Sequence, residues 1–326
     1  MVSNLHTKTL VTSDGRKYTY DTVPAKENKS TVLLIHGFPA TRYDWKYQVE
    51  DLSSAGYGII AIDCLGYGDS DKPIELEAYK LKNLAQHIIE ILDKEGLDKV
   101  VGAGHDWGCG VLSRTAVWHP DRFEKLVFFS VPYTPPGILM DIDSINANSL
   151  KLSGKMPFGY WYFFNSHDAP ILAAAHLESF FNLVFATENH KWIDNLGALG
   201  SARAWLENDT KTQLPAYMTE EDRAVWLAAF SKPNATTASM NYYKGLLRGI
   251  NAEDEENLTD EDRTLRVPVL TMGGIQDTIA REDHQRMGTE PFAAAGYTHK
   301  TVNGGHWLIY EDREGIKDAL LEFLGE

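Results

Sequence analysis

Short apolar runs alternate with segments of helical periodicity over the first part of the chain. Thr31–Ile35, Gly58–Ile62 and Lys125–Phe129 have the length and composition of strands that are buried on both faces. Between them, Leu and Ile residues spaced three or four positions apart in Tyr79–Lys94 predict a helix. Strands and helices that alternate through short loops predict a mostly parallel, doubly wound α/β sheet.

The two ends of the chain add further strands to this pattern. Lys8–Val11 and Lys17–Val23 have strand composition and flank an Asp-Gly pair, which is a strong hairpin signal. Antiparallel strands are therefore predicted to open the fold. Near the C-terminus, Val267–Thr271 and His299–Val302 are predicted to be strands that return to the same sheet.

The alternation breaks between residues 133 and 264, where helical segments rich in aromatic residues replace it. A connection of this length is too long for a simple loop. We predict that it forms a helical cap domain over the carboxyl ends of the strands, so that residues 1–132 and 265–326 make up the two parts of the core. The acidic segment Asn251–Asp262 is expected to be a solvated hinge between the cap and the core.

The charge of the chain restricts the class of partner. Its 326 residues include 46 Asp and Glu against 31 Lys and Arg, for a net charge of −15, which would repel nucleic acid and anionic membrane surfaces. The sequence has no apolar run of membrane-spanning length and no apolar core of a signal peptide near its N-terminus. We therefore expect a cytoplasmic protein that acts on a small neutral molecule, and the sequence leaves the oligomeric state open.

No metal ion or organic cofactor is predicted. The 11 histidines do not show the paired spacing with cysteine or carboxylate that is typical of metal sites. There is also no phosphate-binding loop of P-loop form. Cys64 and Cys109 are too few for a disulfide framework and are expected to be free, buried thiols.

Lys99–Gly110 holds the most informative pattern in the chain. Its apolar start predicts a strand, Gly104 and Gly108 bracket Asp106, and a helix-compatible segment follows. The frame Gly-x-Asp-x-Gly is that of a nucleophile elbow, in which small residues let the backbone turn sharply and expose the central side chain. Because a carboxylate is ionised at neutral pH, Asp106 would need no base before it attacks. An isolated frame of this kind also fits a glycine-rich turn with an Asp at a helix start.

Two other polar residues make the catalytic interpretation stronger. Asp277 follows the strand that ends near Gly274, and His306 follows the last strand of the chain. Ligand sites in open α/β sheets gather outside the carboxyl ends of the strands, so we expect Asp106, Asp277 and His306 to lie together. Their order of nucleophile, acid and histidine is that of the α/β hydrolases and differs from the orders in the serine proteases.

The sequence resembles the epoxide hydrolases of the α/β-hydrolase fold, in particular the soluble, fungal-type enzymes. The resemblance covers nearly the whole chain, and its motifs are His36-Gly37-Phe38-Pro39, Gly66-Tyr67-Gly68-Asp69-Ser70, Gly104-His105-Asp106-Trp107-Gly108, Asp277 and Gly305-His306-Trp307. It implies a mostly parallel central sheet flanked by helices, with an inserted helical cap, and a small apolar epoxide as substrate. It further implies that Asp106 opens the epoxide to form an ester, and that His306, oriented by Asp277, activates the water that hydrolyses this ester.

The resemblance also implies which residues surround the nucleophile. The backbone N–H groups of Phe38 and Trp107 would form an oxyanion hole, each donor contributing on the order of 3 kcal/mol. Three side chains are expected to line the substrate pocket: His105, Trp161 and Phe163. The cap aromatics among them would serve equally well as the core of the cap.

Opening an epoxide releases an alkoxide, which a phenol can stabilise and protonate. The family carries two such tyrosines in its cap, and its patterns fall here on Tyr160 and Tyr243. Tyr162 and Tyr242 are neighbouring alternatives to these two residues.

Two rival functions share most of these features. A haloalkane or haloacid dehalogenase would use the same nucleophile, base and acid, but related dehalogenases usually place a second side-chain donor where Phe38 stands. A ligand-binding protein that has kept the fold and turns over slowly is the rival from another class. The complete set of Asp106, His306 and Asp277 argues against a site that has decayed.

Overall fold

The computed structural model describes residues 4–137, 141–185 and 192–325. Eight strands form one sheet in the order β1-β2-β4-β3-β5-β6-β7-β8. The strands are β1 His6–Val11, β2 Lys17–Val23, β3 Thr31–Ile35, β4 Gly58–Asp63, β5 Val100–His105, β6 Phe123–Phe129, β7 Val269–Gly274 and β8 Tyr297–Val302. Strand β2 is antiparallel to both β1 and β4, and the remaining pairs are parallel. The predicted opening hairpin and parallel α/β sheet are confirmed.

Fourteen α-helices are present among the described residues. They are α1 Lys46–Ser54, α2 Leu81–Lys94, α3 Trp107–Trp118, α4 Ile142–Ser153, α5 Gly159–Phe164, α6 Ala169–Ala175, α7 Leu177–Val184, α8 Ser201–Glu207, α9 Glu220–Phe230, α10 Ala235–Leu247, α11 Ala252–Glu255, α12 Glu282–Thr289, α13 Leu308–Glu311 and α14 Arg313–Leu324. Helices α4 to α11 all lie in the stretch between β6 and β7, together with a π-helical turn at Ile193–Gly197. In the part of this stretch that the structure describes, no strand interrupts the helices.

The sheet is buried on both faces because alternate residues of its strands point to opposite sides. In β3, Leu33 and Ile35 belong to the core that the sheet shares with α2, α3 and the helices inserted after β6. Val32 and Leu34 belong to a second core, beneath α1 and α14. The strand predicted from Val267 begins instead at Val269, since the proline between them cannot donate a hydrogen bond to the ladder.

Indole groups tie the inserted helices to the strand ends. The indole N–H of Trp226 in α9 donates to the carbonyl of Pro39 at 2.7 Å. In the other direction, the indole N–H of Trp307 in the core donates to the carbonyl of Val184 in α7 at 2.8 Å. The helices between β6 and β7 are thereby fixed over the edge of the sheet where β3, β5 and β8 end.

The acidic segment Asn251–Asp262 differs from the solvated hinge that we predicted. Part of it forms α11, and the Glu255 side chain is buried against Arg114, with its two oxygens accepting from Arg114 Nε at 2.9 Å and Nη2 at 3.1 Å. Acidic composition alone gives no sign of this partner, which lies 141 positions earlier in the chain.

Within the described residues, no helix has the length and apolar character needed to cross a membrane.

Candidate active site

The turn between β5 and α3 holds Asp106 in an unusual backbone conformation, with φ of 52° and ψ of −122°. Glycines make this turn possible. A Cβ on Gly104 would lie 2.7 Å from the carbonyl oxygen of Gly108, and one on Gly108 would lie 2.0 Å from that of Ile35. A Cβ on Gly37 would lie 2.4 Å from Oδ1 of Asp106 itself. Glycines therefore let the backbone of neighbouring segments pack closely around Asp106, as a nucleophile elbow requires.

The backbone of the neighbouring loop holds the carboxylate of Asp106. Its Oδ1 atom accepts a hydrogen bond from the N–H of Phe38 at 2.6 Å. Phe38 follows β3, which lies beside β5 in the sheet, so loops after adjacent strands supply the carboxylate and its donor. Trp107 is the first residue of α3 and follows Asp106 directly. Its backbone N–H is one of the groups that have no partner within the helix.

His306 stands between two carboxylates. Its Nδ1 atom lies 2.9 Å from Oδ2 of Asp277, and its Nε2 atom lies 3.4 Å from Oδ2 of Asp106. The other oxygen of Asp277 accepts from the backbone N–H groups of Ile279 at 2.9 Å and Ala280 at 2.8 Å. Asp277 is thus fixed by its own loop, and it fixes the imidazole ring in turn.

These charges decide the protonation of the site. Burial alone would lower the pKa of His306, but the charges of Asp277 and Asp106 and hydrogen bonds to both raise that pKa to about 10. Burial also opposes the ionised form of Asp277, yet the charge of His306 and the hydrogen bonds to Asp277 hold its pKa below the usual value. At neutral pH, His306 is therefore an imidazolium between two carboxylates.

Tyr160 and Tyr243 come from α5 and α10 and lie side by side, with ring centroids 5.8 Å apart. Their exposed fractions are only 9% and 3%, and the Tyr243 ring contacts that of Phe38 at 5.0 Å. Burial, with an added contribution from the charge of Asp106, raises the pKa of both phenols. Both therefore keep their protons and remain hydrogen-bond donors at working pH.

The alternative tyrosines have their hydroxyl groups engaged elsewhere. Tyr162 is 38% exposed, and its hydroxyl donates to a carboxylate oxygen of Asp143 at 2.5 Å, on the outer surface of the helices between β6 and β7. The hydroxyl of Tyr242 donates to the carbonyl of Leu65 at 2.9 Å. Neither is among the residues that line the cavity described next.

A cavity of about 580 Å³ joins these residues. Its lining includes the proposed catalytic residues and their aromatic neighbours: Asp106, Trp107, Tyr160, Trp161, Tyr243 and His306. Most of the other lining side chains are apolar, including Phe158, Phe164, Val184, Leu196, Leu246 and Ile279. Met287 of α12 lines the same cavity and is 73% exposed, so the cavity reaches solvent beside that helix.

Two residues predicted to line the pocket lie outside it, and the structure corrects this assignment. His105 is fully buried on the opposite side of the elbow from the cavity, because successive residues at the end of a strand point in opposite directions. Phe163 lies on the side of α5 that turns away from the cavity, where it packs against Phe164 and beneath the guanidinium of Arg203 at 5.0 Å. Trp161, by contrast, lines the cavity, and its contact with a substrate stays a prediction.

Sequence reasoning missed three residues that contact His306 or its loop. The ring of Trp192 lies 4.9 Å from that of His306, the hydroxyl of Ser130 donates to the His306 carbonyl at 2.8 Å, and Glu311 binds the backbone on either side of it. Only Ser130 carried a signal, since it follows β6 at the same edge of the sheet as Asp106.

Cys64 and Cys109 are buried and free. In residues 4–137, 141–185 and 192–325, no group of three or more His, Cys, Asp or Glu side chains is arranged to hold a metal ion. That the reaction needs no cofactor stays a prediction.

Comparison with known proteins places these features in a family. Residues 30–313 match the model of the alpha/beta hydrolase fold family. Epoxide hydrolase A of Mycobacterium tuberculosis is 28% identical over 306 residues, which are 90% of this chain and 89% of that protein. Epoxide hydrolase B of the same organism is 26% identical over 337 residues and covers 93% of each chain. The crystal structure of epoxide hydrolase A from Mycobacterium thermoresistibile superposes with a TM-score of 0.80 at 26% identity, over 98% of both chains.

Proposed function

The chain belongs to the alpha/beta hydrolase fold family, and from its active-site geometry we propose that it is an epoxide hydrolase, which converts an epoxide and water to a vicinal diol through an ester of Asp106. One observation carries this proposal: the cavity that contains the Asp106 carboxylate also contains two buried phenols, Tyr160 and Tyr243. A carboxylate nucleophile and two neutral acids in one apolar cavity match what epoxide opening requires. The similarity to named epoxide hydrolases supports the same activity.

In the first step, Oδ2 of Asp106 attacks a ring carbon of the epoxide. A bond forms between this oxygen and the carbon, and the bond from that carbon to the epoxide oxygen breaks. The other carboxylate oxygen, Oδ1, is held by the N–H of Phe38 and becomes the ester carbonyl. The epoxide oxygen leaves as an alkoxide and takes a proton from Tyr160 or Tyr243, which becomes a tyrosinate.

In the second step, water hydrolyses the ester at its carbonyl carbon. Before this step, the tyrosinate that the first step leaves must regain a proton. Esterification removes the negative charge of Asp106, so the pKa of His306 falls and its Nε2 proton can pass to that tyrosinate, which leaves Nε2 free to act as a base. A water molecule transfers a proton to Nε2 while its oxygen attacks the ester carbon. The negative charge that develops on Oδ1 is stabilised by the N–H groups of Phe38 and Trp107. Collapse of this intermediate breaks the bond between the ester carbon and the oxygen of the diol, which takes the carboxyl proton as it leaves. The carboxylate of Asp106 and the imidazolium of His306 are thereby restored.

The geometry favours this reaction over dehalogenation. Phe38 contributes its backbone N–H to Asp106, and its side chain has no donor for a halide. The indole of Trp107 would be the main side-chain donor in a halide site. Its ring packs against that of Tyr243, with centroids 5.0 Å apart. Two phenols in the cavity have a role in protonating an alkoxide and none in releasing a halide, which needs no proton.

A single turnover in ¹⁸O-water tests the covalent mechanism. With enzyme in excess over styrene oxide, the oxygen added to the first diol should come from Asp106, so the diol should be mostly unlabelled and the label should enter the peptide that contains Asp106. Direct attack of water on the epoxide would label the diol instead. Mass spectrometry of both products distinguishes the two outcomes, and failure to form any diol from aryl or alkyl epoxides would contradict the proposed activity.

The cavity also indicates a neutral, apolar substrate. Arg114 is a basic residue that lines it, but its Nε and Nη2 atoms bind Glu255, and its Nη1 atom donates to the carbonyl of Thr134 at 2.6 Å and the hydroxyl of Thr134 at 2.9 Å. The charge of this arginine is thus already neutralised within the protein. His284 also lines the cavity but is exposed to solvent, and His306 already lies between two carboxylates. Among the described lining residues, a carboxylate inside the cavity would therefore find no buried cation free to pair with its charge.

We therefore expect a strong discrimination against charged epoxides. For a pair of epoxides of equal chain length, one ending in a carboxylate and the other in its methyl ester, kcat/KM should be on the order of 100-fold lower for the carboxylate, because its charge loses water without gaining a counterion. Steady-state assays of the two compounds provide the measurement. Equal kcat/KM values would show that the charged end stays in solvent or finds a cation.

A further inference from the structure

The backbone carbonyl of His306 accepts hydrogen bonds from two buried side chains. The Nε2 atom of His105 lies 2.8 Å from this oxygen, and the hydroxyl of Ser130 donates to it at 2.8 Å. Both donors are fully buried, and they stand at the ends of β5 and β6, which are neighbours in the sheet. The catalytic loop is therefore fastened to the rigid centre of the fold at His306 itself.

The backbone on either side of His306 is held by a third side chain. The two carboxylate oxygens of Glu311 accept from the N–H of Gly305 at 2.9 Å and from the N–H of Trp307 at 3.0 Å. Glu311 thus holds the N–H of the peptide unit between His306 and Trp307, whose carbonyl is held by His105 and Ser130, and it also holds the peptide unit that precedes Gly305. Side-chain hydrogen bonds that cross between separate elements hold a loop more tightly than its own turns would.

The protonation state of His105 suits a hydrogen-bond donor to the His306 carbonyl and does not suit a catalytic acid or base. A carbonyl oxygen can only accept, so Nε2 of His105 must carry the proton. Burial and the neighbouring His306 lower the pKa of His105 to about 4, so its ring is neutral at working pH. The ring packs against those of His306 and Trp307, with centroids 5.1 and 5.4 Å away. His105 also lies outside the cavity and cannot touch the substrate.

We propose that His105, Ser130 and Glu311 are positioning residues that hold His306 for hydrolysis of the Asp106 ester, an inference that rests on the proposed function. His306 acts as a base in the second half-reaction only, since Asp106 attacks the epoxide as a carboxylate that is already ionised. Loosening the loop should therefore slow ester hydrolysis and leave alkylation nearly unchanged. A general structural role would affect both steps.

This difference has a kinetic signature. When hydrolysis limits turnover, kcat follows the rate of hydrolysis and KM falls in the same proportion, because the enzyme accumulates as the ester. The ratio kcat/KM reports alkylation and keeps the parent value. A variant that is merely misfolded or binds poorly loses kcat/KM instead.

The test compares His105→Met with His105→Gln. Met fills a similar volume without a donor, whereas the Gln amide can place an N–H near the position of Nε2. A base displaced by a fraction of an ångström loses roughly 10- to 100-fold in rate, so His105→Met should lose that much in ester hydrolysis, measured by stopped flow, with alkylation within about threefold of the parent. His105→Gln should recover part of the loss.

Other outcomes overturn the assignment. These are hydrolysis at the parent rate in His105→Met, an equal loss of both steps, or no recovery in His105→Gln. If His105→Met does not fold, as thermal unfolding would show, the same two rate constants in Ser130→Ala decide, since that variant removes the second donor to the same carbonyl. A parent enzyme that forms no ester or diol would refute the proposed function itself, which is a separate result.

Discussion

Replacement of His306 by glutamine is expected to stop the enzyme after one alkylation, with the substrate bound as an ester to Asp106. Glutamine cannot accept a proton from water, so the second half-reaction loses its base, while the first half-reaction keeps the ionised carboxylate and both phenols. General base catalysis contributes roughly 10²- to 10⁴-fold, and we expect steady-state kcat to fall on the order of 10³-fold. The stable ester should appear as a mass increase, equal to the mass of the epoxide, on the peptide that contains Asp106.

Asp106→Ala provides the matched control for this experiment. It removes the nucleophile and leaves the cavity otherwise intact, so it should form neither ester nor diol. An His306→Gln enzyme that forms no adduct and still makes no diol would mean that His306 is needed for the first step. An ¹⁸O-labelled diol in the first turnover of the parent enzyme would reduce Asp106 to a general base.

Several parts of the site could be predicted because they depend on short patterns. Gly104 and Gly108 form a recognisable pattern because only glycine fits at these two positions. In the elbow, a Cβ at either one would collide with neighbouring backbone atoms. Asp277 and His306 could be grouped with Asp106 because parallel strands end at one edge of the sheet. For these residues, knowing that each follows a strand of a parallel sheet was enough to predict that they meet, and the structure brings His306 and Asp277 to 2.9 Å.

The misassigned and missed residues depend on contacts that no short pattern contains. His105 belongs to the elbow motif, yet whether its side chain faces the cavity or the interior depends on how the strand ends, and the ring turned out to support His306 from behind. Glu255 was expected in a solvated hinge because its neighbours are acidic, and only the fold brings Arg114 to it. Glu311 follows His306 by five positions, but nothing in the sequence indicates that its carboxylate turns back to the loop.

The choice between neighbouring tyrosines is a similar case. Tyr160 and Tyr162 are two positions apart on α5, so they point to different sides of the helix. The sequence pattern does not tell which of these sides faces the sheet. Tyr242 and Tyr243 are adjacent on α10 and both are buried. The structure distinguishes them by the partner of each hydroxyl, because that of Tyr242 is already bound to the carbonyl of Leu65.

Removal of both cavity phenols should be as damaging as removal of the base, but at the opposite step. In Tyr160→Phe and Tyr243→Phe, one phenol remains to donate to the alkoxide, so each single change should slow alkylation on the order of 10-fold. The double change leaves the developing charge without a donor in an apolar cavity, and removal of such a donor costs about 10²- to 10³-fold. We expect the double variant to lose on the order of 10³-fold or more in the rate of alkylation, measured in single turnovers.

Tyr162→Phe is the matched control for this prediction, because it removes a hydroxyl from the same helix on the side that faces Asp143. Its alkylation rate should equal that of the parent. The rate of ester hydrolysis provides a second control, since neither phenol takes part in that step and any ester that the double variant forms should decay at nearly the parent rate. Parent-like alkylation in the double variant would remove both phenols from the mechanism, and with them the observation on which the epoxide assignment rests.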